Sequence, residues 1–289
     1  MPHSTAQLKE AIDRDGFVIV PSGLSEGQLE NLRRACKTVT DLARDGKWPN
    51  IRTLPRQFPP WPSDPSQGIW GVQQLMNPDL PGHELFTKTY FSDTTISAVQ
   101  ELLGGCSEDE LVMELYNLLV TPDRNFELRW HRDDIPPTAS PDEEMARLSK
   151  PAWHAQWNMP LYPDSSLILV PKSHARPLTD EERQADPLEP NMPGQIHVQL
   201  LPGEMAFYNN NIYHRGAYRS DVERMTLHGS IGHVAGGSLR ARNVLQHGRG
   251  WIEQVDLLQV EDAERAAGMR RRLVELGELH KTTEYSQSD

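Results

Sequence analysis

The sequence predicts a mainly β protein with flanking helices, a double-stranded β-helix barrel of the jelly-roll or cupin-like type. Three observations predict it. About eight short runs, apolar or alternating and separated by Pro, Gly, Asn and Asp clusters, fill residues 110–235. Helical periodicity is confined to the two ends, before residue 104 and after about 255. Strand and helix therefore do not alternate as a doubly wound parallel sheet requires, and packed antiparallel layers remain. The 289 residues are read as one domain, at the usual ~100–200 residues per domain.

Residues 5–46 read as helix, strand, helix. Gly16-Phe17-Val18-Ile19-Val20 is a short apolar run that Pro21 ends. Ser25-Glu26-Gly27-Gln28 has the spacing of a capping box. Leu29, Leu32, Cys36, Val39 and Ala43 then recur at helical spacing, and Gly46 is read as the terminator. Residues 47–82 hold eight prolines among Trp48, Trp61 and Trp70, which argues against regular helix or central strand. Two readings of this segment stand side by side: a lid over a pocket, or simple packing on the outside of the core. Residues 84–103 look helical, with Gly104-Gly105 as the stop. Predicted strands follow at Leu111–Thr121, Phe126–Trp130, Trp153–Leu161, Leu167–Val170, Ile196–Leu201, Met205–Tyr208, Ile212–Tyr213 and Met225–Val234. Polar connections at 132–151 and 175–194 interrupt them, and a helical segment closes the chain at about 255–281.

Composition narrows the function. With 41 acidic against 29 basic side chains and a net charge of −12, the chain is poorly suited to a phosphate backbone. The one tight basic run, Arg270-Arg271-Arg272, is flanked by acids and reads as a solvated helix face. No run approaches the ~18–20 apolar residues of a membrane span. The first ten residues lack a signal peptide's apolar core, and the two cysteines, Cys36 and Cys106, are read as unpaired thiols. A cytoplasmic protein that takes a small-molecule substrate is expected, with a homodimer left open.

Chemistry points first to His131-Arg132-Asp133. In a strand, residues i and i+2 share a face, so the imidazole and the carboxylate could reach one metal. A chain with 11 His and 41 acids gives about one or two His-x-acid pairs by chance, so the weight rests on context. This pair follows an apolar run ending in Trp130 and opens a polar loop, a place where sites are commonly built. A second His from another strand would complete the two-His-one-carboxylate face associated with non-haem Fe(II). The candidate is His214, in Tyr213-His214-Arg215-Gly216. Ten residues on, Arg224 and Thr226 alternate with apolar neighbours. They could hold a dicarboxylate, or Arg224 could instead make a salt bridge to a nearby acid. His154, His174, His197, His228 and His233 lack an acid at +2 and read as structural or surface residues. His228, on the face of Arg224 and Thr226, is a candidate for substrate or cofactor contact. Trp48, Trp61, Trp70 and Trp153 are candidates for a pocket wall, with ordinary core packing as the rival reading.

Taken in order, these pieces resemble the phytanoyl-CoA dioxygenase-like family of Fe(II)/2-oxoglutarate-dependent oxygenases, from about residue 10 to about residue 235. The pieces are Asp15-Gly16-Phe17-Val18-Ile19-Val20, Trp130-His131-Arg132-Asp133, Leu167-Ile168-Leu169-Val170-Pro171-Lys172-Ser173-His174, Pro202-Gly203-Glu204, His214-x-Gly216 and Arg224. The resemblance implies that His131, Asp133 and His214 bind Fe(II). It also implies that Arg224, assisted by Thr226, holds the distal carboxylate of the cosubstrate 2-oxoglutarate, and that O2 is the oxidant. His174 corresponds to a turn residue and is left out of the ligand set. Asp164-Ser165-Ser166 stands where the family usually has Asn-Gly, and Lys172 where it has Gly, which alters the pocket rim. Related halogenases lack the carboxylate, so Asp133 argues against halogenation. The expected activity is oxidation of a small organic molecule of the secondary-metabolite kind, with release of succinate and CO2. The rival readings are a non-catalytic jelly-roll binding protein and a cupin-like metalloenzyme without 2-oxoglutarate.

Overall fold

The computed structural model describes residues 7–245 and 250–279. Helix α1 (Gln7–Asp15) leads into β1 (Phe17–Pro21), and α2 (Glu26–Arg44) follows. The Ser25 capping box forms, with the Ser25 N–H donating to Gln28 Oε1 at 2.8 Å. Leu29, Leu32, Cys36, Val39 and Ala43 are all buried. Each such Leu or Val contributes about 1.5–3 kcal/mol on leaving water. Gly16 has φ +85°, and a Cβ there would meet His174 Nδ1 at 2.5 Å, so only glycine admits the close approach that lets β1 start.

The proline-rich segment holds two strands the sequence argued against, β2 (Ile51–Thr53) and β3 (Ile69–Val72). Neither contains proline, and both lie at one end of their sheet, where ladder demands are lightest. The predicted helix 84–103 is broken in two, α3 (His83–Tyr90) and α4 (Asp93–Leu102), because Ser92 caps a fresh start through Thr95 N–H. Then come β4 (Leu111–Val120), β5 (Phe126–Glu127), α5 (Pro141–Leu148), β6 (His154–Pro160), β7 (Leu167–Leu169), α6 (Asp180–Gln184), β8 (Ile196–His197), β9 (Glu204–Tyr208), β10 (His214–Tyr218), β11 (Met225–His233), α7 (Gly237–Leu245) and α8 (Ala263–Glu278). The predicted strand at Ile212–Tyr213 is a turn. Ile212 N–H bonds Asn209 O at 2.9 Å, and pairing begins only at His214. The polar connections carry α5 and α6, each announced by a capping box, Ser140-x-x-Glu143 and Thr179-x-x-Glu182. The arginine run is not a free face: Arg270 bonds Val255 O and Arg272 bonds Leu111 O, so the run pins α8 to the body. Residues 5–6 and 280–281, assigned to helix from sequence, lie outside the described residues.

The strands form two antiparallel sheets. One runs β1-β9-β6-β11-β4-β3-β2 and the other β5-β10-β7-β8. Among the described residues no ladder joins them into a closed barrel. On β6, Ala155, Trp157 and Met159 enter the large core, while Gln156 and Asn158 line a cavity between the sheets. On β11, Met225, Leu227 and Ile231 go to the core, while His228, Ser230 and, just before the strand, Arg224 go to the cavity. This period-2 alternation separates a helix-covered apolar face from a polar inner face. Tyr90 fastens the two layers: its hydroxyl donates to Ser230 O (2.7 Å) and accepts from the Glu114 N–H (2.8 Å). Cys36 and Cys106 are free thiols. No helix among the described residues is long and apolar enough to cross a membrane.

Candidate metal centre

His131 and His214 are joined by an isolated antiparallel bridge. The His131 N–H donates to His214 O at 3.0 Å, and the His214 N–H to His131 O at 3.1 Å. The predicted strand Phe126–Trp130 stops at Glu127, so the pair does not sit at a strand end, and Asp133 lies in a bend. Arg132 explains the departure. Its buried guanidinium is drawn to the carbonyls of Ser173 (2.9 Å), Arg176 (3.0 Å) and Asn211, and the Asp133 N–H turns to Asn210 O (2.9 Å). The side chains converge all the same.

Asp133 Oδ1 lies 3.4 Å from His131 Nε2 and 3.8 Å from His214 Nε2. One ligand atom from each residue falls within 4.8 Å of the others. Bonds of ~2.1 Å to a shared ion give ligand separations of about 3.0–3.4 Å, so this trio needs only a small contraction. The tautomers are set by backbone carbonyls. His131 Nδ1 donates to Arg129 O and His214 Nδ1 to Ile212 O, each at 2.8 Å, which leaves both Nε2 lone pairs for a metal. Asp133 Oδ2 accepts from Gln156 Nε2 at 2.9 Å, fixing the carboxylate. Burial alone would raise the Asp133 carboxyl, but His214 and His131 outweigh it and hold it far below its ordinary value. Burial pushes His214 down to about 4, with His131 adding to the effect, so the ring is neutral and ready to ligate at neutral pH. Two imidazoles and one carboxylate without thiolate match Fe(II) or a similar divalent ion.

The cavity above the trio has a volume of about 230 Å³. The proline-rich segment forms one wall. Phe58 presents its edge to the His131 ring at 5.6 Å, Gln57 Nε2 lies 3.2 Å from His131 Nδ1, and Trp61 and Trp70 line the space. Trp48 belongs to the core, and Trp153 stacks on His233 beside a neighbouring cleft. His174 bonds Asp13 O at 3.1 Å and ties α1 down. His197 is exposed, and His233 caps the turn at Ala235.

Arg224 and Thr226 share one face, as the alternation predicts, and both reach the same acceptor. Arg224 Nε lies 3.0 Å and Thr226 Oγ1 2.6 Å from Asp164 Oδ2. The salt-bridge reading of Arg224 is therefore the one the structure shows. Asp164 is 9% exposed and Arg224 6%. Burial opposes its ionisation, yet Arg224 holds the Asp164 carboxyl down at about 2. Asp164 escaped the sequence reading as a site residue, although its departure from the Asn-Gly pattern marked the place. Arg52 escaped it too; its signal was a lone cation between Ile51 and Thr53 in an alternating run.

His228 lines the cavity and bonds Asn158 Oδ1 at 2.9 Å. Burial, with Arg52 adding to it, pushes its pKa down to about 3 against a partial pull from Asp133. A histidine held neutral in the folded state gives stability that is complete above its unfolded pKa of ~6.5 and is lost as pH falls toward the folded value. Metal-free protein should therefore lose stability on acidification from pH 6.5 to 4. His228→Gln should flatten that slope by up to about 1.4 kcal/mol per pH unit, read by urea denaturation at each pH. An unchanged slope would remove His228 as the cause.

No family model matches the chain, and no curated protein matches it in sequence. Solved structures do match in fold. AviO1 from Streptomyces viridochromogenes Tue57 superposes with a TM-score of 0.57 at 18% identity, over 81% of this chain and 97% of that one. EctD from S. alaskensis, solved with 2-oxoglutarate and 5-hydroxyectoine, gives 0.56 at 20% identity over 81% and 77%. The epimerase SnoN, in complex with Fe3+, alpha ketoglutarate and nogalamycin RO, gives 0.52 at 15% over 80% and 84%. At these identities the likeness is one of fold, and at that level it bears out the resemblance read from the motifs: the chain folds as non-haem iron, 2-oxoglutarate-binding proteins fold.

Proposed function

We propose that this protein is an Fe(II)/2-oxoglutarate-dependent oxygenase that oxidises a small organic molecule. The observation that carries the reading is the convergence of His131, Asp133 and His214, with both Nε2 atoms freed by backbone carbonyls, at the floor of a cavity between two sheets. The two sheets are read as an open form of the double-stranded β-helix, and the whole chain as one catalytic unit. EctD and SnoN, which share the fold, were solved with the cosubstrate or its complex with iron.

His131, Asp133 and His214 would hold the ferrous ion. When bound there, iron supplies the coupling of 2-oxoglutarate oxidation by O2, with release of succinate and CO2, to oxidation of the substrate. The chain does the rest. Asp133 neutralises part of the metal's charge, and Gln156 holds the carboxylate in one orientation. Phe58, Trp61 and Trp70 exclude water from one side of the cavity, which strengthens every charge interaction inside it. Arg224 is proposed to help seat the cosubstrate's far carboxylate through the Nη donors that Asp164 leaves available, and Thr226, whose one hydroxyl proton goes to Asp164, to assist by holding that acid in place. Hydroxylation, desaturation, epimerisation, ring expansion and endoperoxide formation all use such a centre and differ in substrate placement.

Anaerobic Fe(II) protein should develop a visible charge-transfer absorption on addition of 2-oxoglutarate. Admission of air with ascorbate should then release succinate. Metal-replete protein that shows neither would be a binding protein or a metalloenzyme of another kind.

A further inference from the structure

The charged side chains around the cavity are nearly all paired. Arg215 bonds Glu127 at 2.9 Å. Arg240 grips Glu114, with Nε 2.7 Å from Oε1. Arg224 is held by Asp164. Arg52, on β2, is the exception. It lines the same cavity, yet among the described residues no carboxylate or hydrogen-bond acceptor meets its guanidinium, and its Nε is buried without a partner. Its carbon neighbours are aromatic: the guanidinium lies 5.1 Å from the ring centroids of Trp61 and of Trp70. Such contacts stabilise a cation and do not neutralise it.

The side chain is also fixed in place. Arg52 pairs with Gly71 across the β2–β3 ladder, and a Cβ on Gly71 would meet Arg52 Cδ at 3.0 Å. The stem therefore lies over a residue that has no side chain to displace it. A half-buried guanidinium with its Nε buried and unpaired, its stem over Gly71 and two indoles beside it, is costly in the empty protein, and it makes sense as the preformed half of an ion pair.

We propose that Arg52 is a second carboxylate anchor of this cavity, taking the distal carboxylate of 2-oxoglutarate together with the unpaired Nη1 of Arg224. The inference rests on the reading given under Proposed function and deepens it. Asp164 already occupies Arg224 Nε and the Thr226 hydroxyl, the two donors that strand alternation would offer to the cosubstrate. What Arg224 has left is its two Nη atoms, of which Nη1 is buried and without a hydrogen-bond partner. Trp70, beside the Arg52 guanidinium, stacks on Tyr218 at 5.9 Å, and the Arg224 guanidinium lies 4.1 Å from the Tyr218 ring centroid, so the two cations bound one region of the cavity. The charge balance points the same way. The three arginine–carboxylate pairs cancel, and Asp134, which also lines the cavity, is solvent-exposed, bonded to Asn210 and screened. With a divalent ion on the triad, Asp133 and Arg52 leave two positive charges, which one dianion cancels. Without Arg52 the same dianion would leave one negative charge in the cavity unbalanced.

The test uses the Ni(II)-loaded protein, which binds keto acids without turnover, titrated calorimetrically with 2-oxoglutarate and with 2-oxobutyrate. The second ligand has the same keto-acid head and no distal carboxylate. Arg52→Met should weaken 2-oxoglutarate by roughly 30-fold or more, the scale of a truncated buried charge pair. It should leave 2-oxobutyrate and the nickel content unchanged. Arg52→Lys should restore part of the loss, since a point charge replaces half of the fork. Metal-free Arg52→Met should melt no lower than wild type, because it loses an unpaired charge; a lower melting temperature would mean that Arg52 serves the fold. If Arg52→Met binds 2-oxoglutarate as wild type does, the anchor is overturned and the oxygenase reading stands. Equal loss for both keto acids would also overturn it, by placing the effect at the metal end. If wild-type protein ignores 2-oxoglutarate, the oxygenase reading fails and the anchor falls with it.

Discussion

Alanine at His131, Asp133 or His214 should abolish stable Fe(II) binding and all succinate formation. Each residue supplies one of three ligand atoms drawn within 4.8 Å, and none has a substitute among the described residues. Loss of a partner one step outside a metal's own ligands costs about 10–100-fold in affinity, so loss of a ligand should exceed that. Gln156→Leu supplies the calibration. It removes only the 2.9 Å hydrogen bond that steers Asp133 Oδ2 and should fall within the 10–100-fold range. Metal content after dialysis and titration with Mn(II) or Ni(II) measure both. An alanine variant that keeps full metal content would show that its residue is not a ligand. The two histidines differ in one respect. His214 is 6% exposed and packs against the Tyr208 ring at 5.3 Å, so His214→Ala also opens a void and should lower the melting temperature of the metal-free protein.

Arg224→Ala should damage the fold before it damages catalysis. Its partner Asp164 is buried, and the substitution leaves that carboxylate with only the Thr226 hydroxyl and the Ser166 N–H. Breaking a buried pair from one side typically costs about 3–5 kcal/mol. At neutral pH the effect is present in full, because the Asp164 carboxyl titrates at about 2 in the folded protein against ~3.8 when unfolded. It would be lost only as the solution is acidified through that interval. At roughly 2–4 °C per kcal/mol for a domain of this size class, the melting temperature should fall by roughly 6–20 °C. Arg224→Leu combined with Asp164→Leu should recover most of the loss, since the hydrophobic pair carries no desolvation cost. The double-mutant cycle then gives the coupling directly. Metal content should stay near wild type in all three. If Arg224→Ala melts like wild type, the buried pair does not contribute in solution.

Much of this was legible in the residues themselves. The Ser25 box and the Leu29–Ala43 stripe located α2 closely, because capping and 3.6-residue periodicity are local signals. The alternation of Arg224, Thr226 and His228 showed which face of β11 turns inward. The ligand trio was read from residue types and their order. The geometry expected for it, a His131–Asp133 pair at the end of a strand Phe126–Trp130, is not the geometry found, since β5 stops at Glu127. Arg132 draws the chain out of the ladder through contacts with Ser173, Arg176 and Asn211, far along the sequence, and no local pattern could announce them. Asp164 and Arg52 were missed for the same reason. An acid and a base look like surface residues until the sheet brings one against Arg224 and leaves the other facing aromatic rings. The break between α3 and α4 was legible and unread, for Ser92 followed by Asp93 is itself a start signal.

The reciprocal bridge between His131 and His214 has a kinetic consequence. The segments it ties are separated by β6 to β9 in sequence, so the two imidazoles meet only after a long chain loop has closed. No early, local fragment of this protein can present the metal site. An ion that binds the finished site and not the open chain therefore favours the folded protein by mass action, and it should slow unfolding more than it speeds folding. Stopped-flow refolding with and without Mn(II) would then show nearly coincident folding limbs and a depressed unfolding limb, the signature of a clasp fastened after the chain has found its topology.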